Sequence, residues 1–414
     1  MHITLIAGAR PNFMKIAALV HAIERFNEGL SVTGYGLPGS PKRVEYRLVH
    51  TGQHYDKNMS DTFFEELGIP APDVNLGCGG GTQAEQTAAI MVEFEKDLMA
   101  HPTDVVLVVG DVTSTMACSI VAKKLNTRVC HVEAGIRSWD LTMPEEINRM
   151  VTDSLADYMF TTSDVANRNL IRQGAELVTG YGLQVTGERI LPEDKYANQR
   201  VQQRVWHVGN VMIDTLLANR SRFRKPEVWE TLGLKEKEYI VMTMHRPANV
   251  DEENHLRAMM EQIIDNVHGL PVIFPIHPRT AKLFYGLWGS GAPDGADSHA
   301  GDELAKRFPN LHIVEPMGYL EFNYLVERAK AVVTDSGGIT EETTVMGVPC
   351  ITLRDNTERP ETCTIGTNEL IGTDPAAVAP ALRKLFAGEW KKGAIPPLWD
   401  GHAAERIINV LADL

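Results

Sequence analysis

The stretch DVVLVVGDVTST, residues 104–115, decides the fold class. Five consecutive apolar residues, 105–109, precede a glycine and an acid, and small polar residues then begin a helical pattern. A run that is apolar on both faces is what a strand buried in a parallel sheet requires. The stretch therefore predicts a strand that leads into a helix, with Asp111 at the carboxyl end of the strand.

Similar β-branched runs recur along the chain, and a helical pattern follows each of them. They are ITLIAG, YRLVHTG, RVCHVEA, YMFTTS, YIVMTM, PVIFPIH, LHIVEP, AVVTDS and CITLRD. Strands that alternate with helices predict doubly wound α/β domains with parallel sheets. The alternation pauses near residues 186–205, and a chain of 414 residues is long enough for two domains. We expect an N-terminal domain at 1–208 and a C-terminal domain at 209–395.

The composition excludes several classes of protein. A net charge of −14 without a basic cluster argues against nucleic-acid binding. No apolar run reaches the roughly 18 residues of a membrane span, and the N-terminal run is too short for a signal peptide. The five cysteines are scattered without metal-type spacing, which is typical of a reducing compartment. We expect a cytoplasmic protein with no bound metal.

Ligands of open α/β sheets bind beyond the carboxyl ends of the strands, so the residues that follow each strand are the candidates for function. GARPNFMK follows the first strand and offers Arg10 and Lys15 at the start of a helix. Cations beside a helix N-terminus favour an anion site. The alternative is an ordinary strand-to-helix turn with solvated side chains. For Asp111, the alternative is a simple helix N-cap.

The segment CHVEAGIRSWDLTMPEEINR, residues 130–149, is dense in ionisable side chains. Glu133 follows an apolar strand, where an unpaired carboxylate would be costly. Thr142 and Glu145 fit a capping box. Glu145 and Arg149 are four residues apart and would share one helix face, where the alternative to a functional role is an ordinary ion pair.

The second half repeats a His-Arg arrangement after two strands, at His245 in MTMHRPANVD and His277 in FPIHPRT. One histidine at a strand end is more often structural than catalytic. Two such sets in one domain favour a phosphate site with a proton-transfer group.

The stretch DSGGITEE, residues 335–342, predicts a phosphate-binding turn. Ser336 offers a hydroxyl, Gly337 and Gly338 offer backbone amides, and the next helix offers its N-terminus. Glu342, one turn later, is placed to accept ribose hydroxyls. The motif RDNTERPET follows the next strand and adds Arg359.

These motifs together resemble the bacterial non-hydrolysing UDP-N-acetylglucosamine 2-epimerases. The similar segments are GARPNFMK, GDVTSTMA, HVEAGIR, MPEEINR, GNVMIDTL, HRPANVD, DSGGITEE and RDNTERPE, in this order. The resemblance implies a GT-B fold, in which two Rossmann-like domains with parallel sheets face each other across a cleft. It also implies a C-terminal helix within residues 396–414 that returns to the N-terminal domain, and a homodimer.

The family reaction removes the C2 proton, expels UDP by anti elimination to a 2-acetamidoglucal, and adds UDP back with protonation from the other face. No cofactor is implied. By resemblance, Asp111, Glu133 and Glu145 are the carboxylates around the sugar, and His245 is the proton-transfer group or the partner of the leaving phosphate. The residues implied in phosphate binding are Arg10, Lys15, Arg149, Ser336, Gly337 and Gly338, while Glu342 holds the ribose and His277 and Arg359 complete the substrate site.

Four rival functions are compatible with these residues. A hydrolysing epimerase would release UDP and free N-acetylmannosamine, and an epimerase for a modified 2-acetamido sugar would use the same residues. A GT-B glycosyltransferase or a nucleotide-sugar sensor is possible on the same fold. Neither of these last two needs three carboxylates at strand ends of the first domain.

Overall fold

The computed structural model of the protein describes residues 1–33, 43–52, 66–177, 203–276, 281, 284 and 306–414. Most of the polar stretch at 186–205 lies outside these ranges. The chain forms two compact units, Met1–Ala218 with Pro397–Leu414, and Asn219–Pro396. Within the described ranges, no helix is both long and apolar enough to cross a lipid bilayer.

The first unit contains an eight-stranded sheet in the order β3-β2-β1-β4-β5-β6-β8-β7, and every strand pair is parallel. Its strands are β1 (His2–Ala7), β2 (Glu45–His50), β3 (Val74–Asn75), β4 (Val105–Val109), β5 (Arg128–Val132), β6 (Tyr158–Thr161), β7 (Glu176–Leu177) and β8 (Arg204–His207). The helices that accompany them are α1 (Arg10–Thr33), α2 (Gln83–Ala100), α3 (Thr113–Lys124), α4 (Pro144–Leu155), α5 (Asp164–Arg172) and α6 (Val211–Asn219).

The second unit contains a six-stranded parallel sheet in the order β11-β10-β9-β12-β13-β14. Its strands are β9 (Ile240–Thr243), β10 (Val272–Pro275), β11 (Leu311–Val314), β12 (Ala331–Thr334), β13 (Cys350–Thr352) and β14 (Asn368–Leu370). The helices from here to the end of the chain are α7 (Glu227–Thr231), α8 (Pro247–Val250), α9 (Glu253–Asn266), α10 (Tyr319–Arg328), α11 (Gly337–Met346), α12 (Pro360–Thr364), α13 (Val378–Phe386) and α14 (Ala403–Ala412).

The same strand order occurs in both sheets. Counted from the first strand of each unit, both contain the doubly wound order 3-2-1-4-5-6, so the prediction of two parallel α/β domains is confirmed. In this topology the chain reverses its direction of travel beside strand 1, between β1 and β4 in the first unit and between β9 and β12 in the second. Ligands of doubly wound sheets bind at this switch point, because the following loops diverge there.

The predicted strands are buried as their composition requires. All five residues of β4 are buried, and the core of the second unit gathers apolar side chains of β9, β10 and β12 with those of α9 and α13. Apolar residues on both faces of a strand are stabilised by helices on both sides of the sheet. The cores therefore fix the strand ends that carry the polar motifs.

The C-terminal helix α14 belongs to the first unit and packs against α1. Before it, the Trp399 side chain is 1% exposed and its Nε1 donates a hydrogen bond of 3.0 Å to the carbonyl oxygen of Thr162. On α6, the Thr215 hydroxyl donates to the carbonyl oxygen of Met14 at 2.5 Å. Because α6 is bonded to α1 in this way, the first unit extends to Ala218, past residue 208.

Candidate active site

An ion pair lies at the switch point of the first sheet. The Nζ of Lys15, one turn into α1, lies 2.6 Å from Oε2 of Glu133, which follows β5. Both residues are buried, with 8% and 2% of their surface exposed. A charged side chain is stable inside a protein when a partner compensates it, and each of these residues compensates the other.

The backbone at Glu133 is in the left-handed region, with φ at +70°. A side chain other than glycine adopts this conformation at a cost of roughly 1 kcal/mol or more, and such residues concentrate at functional sites. The conformation turns the chain sharply after β5. Burial and the bond to Lys15 keep Glu133 in that turn.

Gly110 gives the ion pair its space. Its φ is +71°, and a Cβ at this position would lie 3.2 Å from Nζ of Lys15 and 3.7 Å from Oε2 of Glu133. Asn12 ties α1 to the same strand end, since its Nδ2 donates to the carbonyl oxygen of Val109 at 3.0 Å. The loops after β1 and β4 are thereby locked together.

Asp111, next in the chain, forms an ion pair with Arg149 of α4. The same guanidinium bonds to Oε2 of Glu146 at 2.7 Å from its NH2 and at 2.9 Å from its Nε. Glu146 is fully buried, whereas Glu145 is exposed. The ordinary ion pair of Glu145 with Arg149 that the sequence allowed is therefore not the one found, because the buried partner is the glutamate three residues before the arginine.

The start of α4 explains this difference. Pro144 is the first helical residue and Met143 is the N-cap, with no side-chain cap. Thr142 donates its hydroxyl to Asp140 at 2.6 Å instead. The predicted capping box is wrong, and the helix begins in a register that turns Glu146 inward.

Two further details define these carboxylates. The N-cap of α3 is Val112, so Asp111 is not the helix cap that the sequence allowed. Burial by itself raises the pKa of Glu146, but the amides of Ser138 and Trp139 and the charge of Arg149 outweigh it and hold that pKa below its usual value. Glu146 is therefore an ionised anchor for Arg149 at neutral pH.

A buried polar network stabilises the carboxyl ends of β4 and β5. The Nε2 of His131 lies 2.8 Å from the carbonyl oxygen of Gly110, and its Nδ1 lies 2.7 Å from Oδ1 of Asp153. The other oxygen of Asp153 lies 2.6 Å from NH1 of Arg137. Burial raises the pKa of Asp153, yet the charges of His131 and Arg137 hold it below its usual value. The network fixes the Gly110 turn and so the direction of Asp111.

The second unit carries a separate group of residues at its own switch point. Thr243 of β9 and Thr334 of β12 lie opposite each other, and their hydroxyl oxygens are 2.6 Å apart. The residues that follow also meet: Nδ1 of His245 lies 3.0 Å from Oδ1 of Asp335. Asp335 is fully buried, and Asn249 donates its Nδ2 to it at 3.1 Å.

The helix α11 begins two residues after Asp335. Ser336 is its N-cap, without a side-chain cap bond, and is partly exposed together with Gly337 and Gly338. The helix N-terminus directs amide groups outward, which favours an anion. Arg354, which bonds to Glu358 at 2.6 Å, lies beside Gly337.

Glu342 lies one turn further along α11, among buried groups. The hydroxyl of Tyr319 donates to its Oε1 at 3.0 Å. Burial raises the pKa of Glu342 to about 7, although Tyr319 and Asn323 act in the opposite direction. A buried carboxyl group that titrates near neutrality is typical of functional sites.

The structure describes only some of the remaining predicted site residues. Arg359 is buried and forms an ion pair with Glu341. His277 and the side chain of Arg10 lie outside the described part of the chain. Within the described ranges, no group of three His, Cys, Asp or Glu side chains is arranged to hold a metal ion.

Sequence reasoning missed three residues that organise these sites. Glu146 and Asp335 each stand next to a residue that it selected, and Tyr319 opens a helix with no motif around it. Adjacency to a selected residue was the available signal for the first two. No local signal distinguishes Tyr319, because its contact with Glu342 joins two helices.

Comparison with known proteins agrees with these features. The family model described as UDP-N-acetylglucosamine 2-epimerase matches residues 40–412. The chain is 35% identical to a UDP-N-acetylglucosamine 2-epimerase of Methanocaldococcus jannaschii over 99% of both chains. It is 33% identical to a UDP-2,3-diacetamido-2,3-dideoxy-D-glucuronate 2-epimerase of Pseudomonas aeruginosa over the full length of both.

Solved structures of UDP-N-acetylglucosamine 2-epimerases are also similar to this chain. The crystal structure of the Methanocaldococcus jannaschii enzyme in complex with UDP-GlcNAc and UDP covers 100% of both chains, with a TM-score of 0.78 and 35% identity. A putative UDP-N-acetylglucosamine 2-epimerase from Listeria monocytogenes has a TM-score of 0.74 and 27% identity over 99% of this chain and 95% of its own. The protein therefore belongs to the family of UDP-N-acetylglucosamine 2-epimerases, which are isomerases.

Proposed function

We propose that the protein interconverts UDP-N-acetylglucosamine and UDP-N-acetylmannosamine. One observation carries the proposal: two carboxylates, Glu133 and Asp111, are each held by a cation at the switch point of the first sheet. Carboxylates fixed in this way suit the removal and return of a proton on carbon. The family match over nearly the whole chain supports this reading.

The chemistry we propose is an elimination followed by its reversal. A carboxylate takes the C2 proton, the C1–C2 double bond forms, and the bond from C1 to the diphosphate oxygen breaks with its electron pair going to UDP. UDP then adds back to C1 while a proton enters C2 from the opposite face. A developing diphosphate needs cations and amide donors, and the carbon acid needs a well-placed base.

The residue roles that we propose follow from these two requirements, stabilisation of the diphosphate and removal of the C2 proton. Asp111, Glu133 and Glu145 act around the sugar, and His245 transfers a proton or binds the leaving phosphate. The ribose contacts Glu342. The phosphate and other substrate contacts are Arg10, Lys15, Arg149, His277, Ser336, Gly337, Gly338 and Arg359. In this scheme Lys15 and Arg149 also hold Glu133 and Asp111 in position.

The second candidate is the same reaction on a modified sugar. The relative that is 33% identical is named for a 2,3-diacetamido uronic acid, and its identity is close to the 35% of the UDP-N-acetylglucosamine 2-epimerase. A hydrolysing outcome is the third possibility. The three reactions give different products, so an analysis of the products distinguishes them.

We further propose that the protein is a cytoplasmic homodimer. Four large apolar side chains close in sequence, on α4 and in the segment before it, are each exposed: Trp139, Leu141, Ile147 and Met150. Exposed apolar patches mark association surfaces. All five cysteines are unpaired, as in proteins of reducing compartments. Light scattering of the wild type and of Ile147→Glu tests the dimer.

The reaction is tested by a proton NMR time course with UDP-N-acetylglucosamine in deuterated water. Epimerisation places deuterium at C2 while UDP-N-acetylmannosamine appears. Free UDP with free N-acetylmannosamine would instead identify hydrolysis. An unchanged spectrum with this sugar, but turnover of a 2,3-diacetamido substrate, would establish the second candidate.

The carboxylates are tested by Asp111→Asn and Glu133→Gln. We expect each variant to lose turnover while UDP still binds in calorimetry. Near-normal rates in both variants would remove these two residues from the chemistry.

A further inference from the structure

The loops after β9 and β12 are held in register at the switch point of the second sheet. The strands pair in parallel up to Thr243 and Thr334. Because both strands end at the same level, the residues that follow fall side by side. Asp335 is the first residue after β12, and it meets the segment that begins two residues after β9.

The Asp335 carboxylate contacts that segment at three residues, 245, 246 and 249. It accepts the backbone amides of His245 at 3.0 Å and Arg246 at 2.8 Å, and the side-chain amide of Asn249 at 3.1 Å. Its Oδ1 also lies 3.0 Å from Nδ1 of His245. Burial raises the pKa of this carboxyl group, but His245 and the donors of Arg246 and Asn249 outweigh it and keep the pKa below its usual value.

The side chain of His245 is accessible to solvent, unlike that of Asp335. Its side chain is 54% exposed, whereas that of Asp335 is 0% exposed. Among the residues that the structure describes, no hydrogen bond to Nε2 of His245 is found. One ring nitrogen therefore faces a buried anion, and the ring as a whole remains accessible beside the N-terminus of α11.

We propose that Asp335 is a positioning residue that receives the Nδ1–H of His245, and so fixes the tautomer in which Nε2 is the reacting nitrogen. The orientation of a histidine ring and its tautomer are set by the hydrogen bond of the nitrogen that does not react. The role assigned to His245 rests on the proposed function. The tautomer that we assign to its ring does not depend on that function.

The variant Asp335→Asn keeps the shape of the side chain at residue 335, but it removes the negative charge and is expected to change the tautomer of His245. The two amides of residues 245 and 246 need an oxygen acceptor, so the Asn oxygen is expected to stay with them and the NH2 group to face Nδ1. A donor at that position makes Nδ1 the acceptor and moves the ring proton to Nε2. The variant should therefore reverse the tautomer while the loop stays folded.

The first test is a long-range proton–nitrogen NMR spectrum of the full-length, nitrogen-15-labelled protein at alkaline pH. Loss of a signal in His245→Gln identifies the residue. We expect the Nδ1–H form in the wild type and the Nε2–H form in Asp335→Asn. The same tautomer in both would overturn the proposal, whichever reaction the protein catalyses.

The second test is a double-mutant cycle on turnover of UDP-N-acetylglucosamine. We expect Asp335→Asn to lower kcat by about 10²- to 10⁴-fold with KM changed only a few-fold. In a His245→Gln background, the same change should cost less than about threefold, because the residue through which it acts is gone. Equal losses in both backgrounds would show a merely structural role and overturn the proposal.

A matched control lies elsewhere in the chain. The Nδ1 of His402 is also 3.0 Å from a carboxylate, that of Glu405, but both side chains are exposed on the first unit. Glu405→Gln should leave kcat and the His245 tautomer unchanged. If the wild type converts no sugar, the proposed function fails, and the NMR result still decides the role of Asp335.

Discussion

The ammonium group of Lys15 and the carboxylate of Glu133 meet at 2.6 Å in the space that Gly110 leaves open. The three residues follow three different strands of one sheet: Lys15 lies in α1 after β1, Gly110 follows β4, and Glu133 follows β5. A side chain at residue 110 would enter the ion pair, so the glycine serves the site as well as the turn.

We expect Gly110→Ala to lower kcat by about 10- to 100-fold, because its Cβ would displace the Lys15 ammonium group. Gly347 is the matched control: its φ is also +71°, but no atom lies within 4 Å of the added Cβ. Both variants should lose about 1 kcal/mol of stability from the left-handed backbone. Rates from the NMR assay and unfolding curves separate the effects, and equal kcat losses in both variants would contradict the prediction.

The neighbours Glu145 and Glu146 should respond in opposite ways. Glu146→Gln leaves Arg149 without its buried partner and should destabilise the first unit by about 3 kcal/mol. Glu145→Gln changes an exposed side chain and should alter stability by less than about 0.5 kcal/mol. Under the proposed function it should nevertheless reduce turnover. Urea unfolding and the NMR assay on both variants provide the comparison, and wild-type turnover in Glu145→Gln would remove that residue from the mechanism.

The sequence predicted the strand ends well because each apolar run is local. It could not separate Glu145 from Glu146, since the inward face depends on whether Thr142 or Met143 is the N-cap, and a shift of one residue exchanges the two glutamates. It also missed Asp335 as the partner of His245. That pairing depends on β9 and β12 being neighbours, although about 90 residues separate them.

A carboxylate of α6 that binds the start of α14 has an unusual pH response. Asp214 accepts the backbone amides of Ala403 at 3.1 Å and Ala404 at 2.6 Å. Burial nevertheless raises its pKa from 3.8 to about 6. Between these two values the folded protein holds a proton that the unfolded chain has lost, so acid favours the folded state. Stability should fall by about 3 kcal/mol at most as the pH rises from about 4 to about 6.

Hydrogen exchange of the α14 amides, corrected for intrinsic rates, measures this effect locally. We expect the opening free energy in the wild type to decrease across that window, and Asp214→Asn to flatten the curve. Glu342 acts in the same direction up to about pH 7, but in the other unit. A variant curve with the wild-type slope would assign the effect to another group.

Glu342 should make nucleoside binding pH-dependent. Its pKa is raised to about 7 by burial, and only the ionised carboxylate accepts both ribose hydroxyls. Uridine should therefore bind about tenfold more weakly at pH 6 than at pH 8, because only a small fraction of Glu342 is ionised at the lower pH. Uridine replaces UDP in this calorimetric titration so that no phosphate titrates. Glu342→Gln should abolish the dependence, and an unchanged slope in that variant would remove Glu342 from ribose recognition.

The division of the first unit between the two ends of the chain has a consequence for biosynthesis. Residues 397–414, including the buried Trp399, complete the core of that unit, yet they leave the ribosome after all of Asn219–Pro396. The second unit can therefore close while the first still lacks its final helix. During this interval the apolar face of α1 that α14 covers is open to solvent and to chaperones, so the half of the protein that is made first is the last to finish folding.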